Sequence, residues 1–133
     1  METLARAGIA LLIISCAFAL MFIHKYWLRT RVSTLLGDLG QMSPGTFTLV
    51  YFSTPTCAPC KTIQRPAIHQ VSKRMGDHLK VVEIDASQQP EIASRWGVMS
   101  VPTTFVIDTH GKIRHVNHGV TRAEQLFKQI EGR

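Results

Sequence analysis

Cysteine is scarce in this 133-residue chain: there are three, and one of them, Cys16, lies inside an uncharged apolar stretch. Two remaining thiols cannot build a multi-bridge secreted scaffold, so Cys57 and Cys60 are read as a local redox or metal element. A second CxxC pair is absent, as are histidines at a zinc-site spacing from the first, so a tetrahedral zinc site is only half supplied. Internal repeats and low-complexity tracts are also missing, and the length allows one domain of modest size. Long charge runs are lacking too. Beyond residue 46 the 11 Lys and Arg are scattered among 7 Asp and Glu without aromatic interleaving, which gives nucleic-acid binding no support.

The longest apolar run, from Ala7 to Ile23, contains no charged residue. At about 17 residues it meets the short end of a membrane span, and Tyr26 and Trp27 just beyond it are residue types that settle at the lipid boundary. A single-pass anchor is expected over residues 7–23. Ile13-Ile14-Ser15-Cys16 resembles a lipoprotein cleavage box, with lipidation of Cys16 as the minor alternative, yet the apolar run continues past it to Ile23. Lys25, Arg29 and Arg31 crowd the far flank against Arg6 alone on the near one. By the positive-inside rule this bias places the folded part on the cytoplasmic face of the plasma membrane. Residues 24–45 read as an amphipathic tether, with Leu28, Val32, Leu35, Leu36 and Leu39 at helical spacing. Gly40 and Ser43-Pro44-Gly45 end it, and the folded domain is expected over residues 46–133.

The chemistry-bearing stretch follows the β-branched and aromatic run Thr48–Phe52, which reads as a buried strand. Pro55 stops that strand. Cys57-Ala58-Pro59-Cys60 then opens a helix whose apolar positions are expected at Ile63, Ala67, Ile68, Val71 and Met75, with a kink at Pro66. Thiols at a helix start meet unpaired N–H groups and the positive end of the dipole, both of which favour a thiolate. Cys57 is thus the expected nucleophile and Cys60 the expected resolving thiol. Lys61 is at most a mild electrostatic helper.

Further along, Lys80–Asp85 reads as a second strand, and Pro90 to Trp96-Gly97 as a short helix. Thr103–Ile107 and Lys112–His118 form a hairpin through Asp108-Thr109-His110-Gly111. Thr121-Arg122-Ala123-Glu124 has the form of a capping box for a last helix carrying Leu126, Phe127 and Ile130. The order is βαβαββα: an α/β fold with a mixed sheet flanked by helices.

Met99-Ser100-Val101-Pro102-Thr103-Thr104 before the third strand, together with Cys57 to Cys60, resembles the thioredoxin family over roughly Thr46 to Arg133. That resemblance implies a thioredoxin-like fold and a cis peptide before Pro102, with the Val101 backbone pairing an extended substrate segment beside the active-site loop of Ala58 and Pro59. It implies thiol–disulfide exchange without a cofactor or metal, on disulfide-containing protein substrates, with an upstream thiol reductant. The sequence also departs from the pattern. Tyr51 and Val81 stand where the family usually carries a buried acid and a lysine, and Thr56 replaces the aromatic residue before the first cysteine. With that acid gone, Glu83 on the same strand face and water are the acceptors left for a Cys60 proton. The alternatives to an enzyme are a metal-binding or chaperone module, or a thioredoxin-like scaffold that only binds partners. His69, His115 and His118 are assigned to the surface rather than to ligands.

Overall fold

The computed structural model describes residues 6, 8, 11–23, 37 and 45–132. The chain divides into two compact units, Met1–Thr34 and Leu35–Arg133. In the first, residues 11–23 are helical, with exposed apolar side chains such as Leu12 and Phe22. Among the described residues no helix is long and apolar enough to cross a membrane. Thirteen continuous residues make about 20 Å of helix against a hydrocarbon core of about 30 Å. The expected span over 7–23 is thus described only in part. The tether expected over 24–45 lies outside the described residues apart from Gly37 and Gly45.

In the second unit the order is β1 (Phe47–Ser53), a π-helical turn (Cys60–Gln64), α1 (Arg65–Met75), β2 (Leu79–Asp85), α2 (Pro90–Arg95), β3 (Thr103–Ile107), β4 (Ile113–His118) and α3 (Ala123–Glu131). The expected βαβαββα order is observed. The four strands stand in the order β2-β1-β3-β4, with β1 and β2 parallel and the other two pairs antiparallel. Strand β1 is bonded on both edges, which explains why its residues from Thr48 to Ser53 are all buried.

Alternation along β1 splits the core into two layers. Leu49 and Tyr51 face α1 and α3, where they pack with Ile68, Val71, Leu126 and Phe127. Val50 and Phe52 face α2, where Phe52, Trp96 and Phe105 form a triangle with ring centroids 4.9–5.8 Å apart. Tilted and edge-on rings at these distances add to simple area burial.

Two local expectations are corrected, and at Pro66 the expected irregularity takes a specific form: Cys60–Gln64 just upstream are a π turn in which the Arg65 N–H bonds the Cys60 carbonyl, and regular α-helix follows from Arg65. Ile63 is not a core position, being 49% exposed, whereas Gln64 is fully buried. Cys60, Gln64, Ala67, Ile68 and Val71 are buried positions of this segment, whose first five residues form a π turn and so depart from the 3.6-residue repeat on which Ile63 is expected in the core. The capping box does not form either. Helix α3 begins one residue later, with Arg122 as its N-cap and no side-chain cap bond, so Thr121 stands outside the helix.

The hairpin is held by its turn. Asp108 accepts the N–H groups of His110 and Lys112, both at 2.9 Å, and Gly111 takes φ +77°, a conformation that costs a side-chain-bearing residue.

Candidate active site

Strand β1 delivers the chain through the turn at Pro55-Thr56 to Cys57, whose N–H bonds the Thr54 carbonyl at 3.1 Å. Cys57 and Cys60 are joined as a disulfide, with Cα atoms 5.3 Å apart. The Cys60 N–H donates to the Cys57 sulfur at 3.2 Å. Cys57 thus occupies the place of a helix cap, its sulfur taking the bond that a Ser or Asp oxygen usually takes. A donor aimed at that sulfur favours negative charge on it once the disulfide opens. The two cysteines are unequal: Cys57 is 9% exposed and Cys60 1%.

The Val101–Pro102 peptide is cis. Val101 packs against the cluster that contains both cysteines, so the structure brings Cys57, Cys60 and the Val101–Pro102 loop together, with Ala58 and Pro59 exposed at the rim. Met99, almost fully exposed, stands beside this loop. An open groove of about 400 Å³ runs between Thr54, Pro90, Val98, Met99 and Val101. Among the described residues no group of three or more His, Cys, Asp or Glu is placed to hold a metal ion.

Beneath the disulfide, Tyr51 is 1% exposed and its hydroxyl donates to the Cys60 carbonyl at 3.2 Å. Burial, and after it the negative charge of Glu83, hold the Tyr51 phenol above its ordinary pKa. It stays neutral and keeps its proton in this bond. Glu83 is engaged elsewhere. One of its carboxylate oxygens accepts from Ser53 Oγ at 2.7 Å and from Arg65 Nη2 at 2.7 Å. Val81 pairs with Leu49 and packs into the core, so no cation stands in its place.

Sequence reasoning missed Gln64. Its carboxamide oxygen accepts the Thr121 N–H at 2.8 Å, and its nitrogen donates to the Thr121 carbonyl at 3.2 Å. The signal was its place four residues after Cys60, ahead of the buried positions Ala67 and Ile68; a search for apolar residues alone passes over it. The Ser53–Glu83–Arg65 cluster was missed too, since strand pairing and a helix on the same face bring it together across the sequence.

A family model described as Thioredoxin matches residues 41–132. The chain belongs to the thioredoxin family. It is 44% identical over 82 residues to a thioredoxin of Bacillus subtilis (strain 168), a match covering 62% of this chain and 77% of that protein. It is 39% identical over 83 residues to the chloroplastic thioredoxin Y of Oryza sativa subsp. japonica, covering 62% of this chain but about half, 48%, of that longer protein. Among solved structures it is similar to Fasciola hepatica thioredoxin, with 25% identity, a TM-score of 0.58, and coverage of 67% of this chain and 82% of that one. The enzyme class that goes with a disulfide at this spacing in a thioredoxin-family chain is thiol–disulfide oxidoreductase. Against that background Tyr51 and Val81 are the departures with structural consequences, because both positions are packed into the core rather than charged.

Proposed function

We propose that this chain reduces disulfide bonds in protein substrates through Cys57 and Cys60. The observation that carries the reading is the Cys60 N–H aimed at the sulfur of Cys57, the less buried of the two cysteines, at the start of a helix. In the reduced enzyme the Cys57 thiolate attacks a substrate disulfide, forming a Cys57–substrate bond and releasing one substrate thiolate. The Cys60 sulfur then attacks Cys57, the second substrate thiolate leaves, and the Cys57–Cys60 disulfide forms. The two electrons end on the substrate sulfurs, which take up the two protons, one of them from Cys60. Val101 and Pro102 supply the backbone edge on which an extended substrate segment lies, next to the groove beside Met99. No cofactor enters, and an upstream thiol reductant resets the pair.

Residues 46–133 form the catalytic domain in this reading, residues 24–45 a tether, and residues 1–23 a single-pass plasma-membrane anchor centred on 7–23, with the domain on the cytoplasmic face. The uncharged helical segment 11–23, with its apolar side chains exposed, supports the anchor.

The test is the equilibrium reduction potential of the Cys57–Cys60 pair in the full chain, together with its turnover of a protein disulfide under a thiol reductant. A reductant lies near −270 mV, whereas a dedicated oxidant of this fold lies near about −120 mV. A value at the oxidising end overturns the reducing role. Absence of any exchange with a protein disulfide overturns the enzyme reading.

A further inference from the structure

Gln64 is a fully buried polar side chain outside the cysteine pair, on the same turn as Cys60. A carboxamide there is demanding, because burial without partners is unfavourable for both its ends. Here both ends are satisfied by one residue: Thr121 gives its N–H and receives a donor at its carbonyl. Thr121 is itself 3% exposed. Two residues before it, the Gly119 N–H donates to the Pro102 carbonyl at 2.8 Å. A continuous path of short contacts therefore runs from the π turn of Cys60 through Gln64 to Thr121, back along Val120 to Gly119, and on to Pro102 and Val101.

We propose that Gln64 is a positioning residue that holds the Val101–Pro102 loop in register with the cysteine turn, and thereby sets how well an extended protein substrate seats over the disulfide. The inference rests on the reading of Val101 as the substrate-pairing edge. A bidentate amide clamp suits this task because it fixes both the distance and the tilt of the segment it grips, which an apolar side chain of equal volume does not. The carboxamide touches neither sulfur in its hydrogen bonding, so its effect falls on substrate seating and not on exchange itself.

The test is Gln64→Met in the full chain, since methionine keeps the length and volume and removes both polar atoms. Turnover is measured with insulin as the protein disulfide and with a small aromatic disulfide that has no backbone to pair. The expected result is a KM for insulin raised on the order of fivefold, the scale of one lost backbone pairing, with kcat and the rate on the small disulfide unchanged. Amide exchange at Thr121 and Gly119 is expected to quicken while Val50 and Phe105 in the central strands stay protected. Gln64→Asn, which keeps the amide but falls a methylene short of Thr121, gives the same readings if the methionine variant does not fold. Equal losses on both disulfides, no loss on either, or unchanged exchange at Gly119 overturns the proposal. A wild-type chain inactive on both disulfides removes the substrate reading along with it, whereas an active wild type without the split overturns the role of Gln64 alone.

Discussion

The Tyr51 hydroxyl and the Cys60 carbonyl are hydrogen-bonded at 3.2 Å in the protein interior, and the same carbonyl accepts the Arg65 N–H that defines the π turn. A side chain from the central strand thus braces the backbone of one redox cysteine. Tyr51→Phe leaves the ring in the core and removes only this bond, with an expected destabilisation of about 1 kcal/mol in denaturant unfolding. The Tyr51 pKa is raised, by burial first and Glu83 second. Its contribution to stability is therefore complete below the unfolded value of about 10 and is lost as pH rises through the higher folded value. Wild-type stability is expected to fall above about pH 10 more steeply than that of Tyr51→Phe. Equal slopes refute the assignment.

The cysteines are expected to fail differently when replaced. Cys60→Ser keeps an attacking sulfur at Cys57 and loses the resolving one, so mixed disulfides with partner proteins accumulate as reducible adducts on a non-reducing gel. Cys57→Ser traps nothing. Equal trapping by the two variants contradicts the roles drawn from their 9% and 1% exposures.

Asp108 makes the hairpin turn sensitive to acid. Burial pushes its carboxyl pKa up, but the N–H groups of Lys112 and His110 and the positive charges of His110 and Arg114 outweigh this, so the net direction is down. A depressed folded value means that the stabilisation is present above the unfolded value of about 3.9 and disappears as pH falls through the folded one. Asp108→Asn, which weakens the acceptor for two N–H groups, is expected to cost about 1–2 kcal/mol at pH 7 and less below pH 4. Thermal melts of both proteins across that range check it.

For the anchor, the expected outcome is that the full chain sediments with membranes, resists carbonate extraction and is released by detergent. An arginine placed at Ile14 weakens this retention, because a charge at the centre of a span costs about 2.5–3.5 kcal/mol on insertion scales. Labelling of the reduced Cys57 thiol by a membrane-impermeant reagent on intact cells contradicts a cytoplasmic domain.

Local chemistry alone determined the order of elements, the turn at Asp108–Gly111, and the placing of Cys57 and Cys60 at a helix start, because apolar periodicity, Pro and Gly act over a few residues. The pairing of Val101–Pro102 with the cysteines was legible only through resemblance to a family, since more than 40 residues separate them in the chain. Four features were decided by tertiary structure: the π turn before Pro66, the exposure of Ile63, the failure of Thr121 to cap α3, and the clamp of Gln64 on Thr121. The clamp spans 57 residues. Glutamine at position 64 carries no local preference for that partner; it becomes a clamp only when the sheet and α3 bring Thr121 against the cysteine turn and exclude water, leaving each polar group the other as its partner.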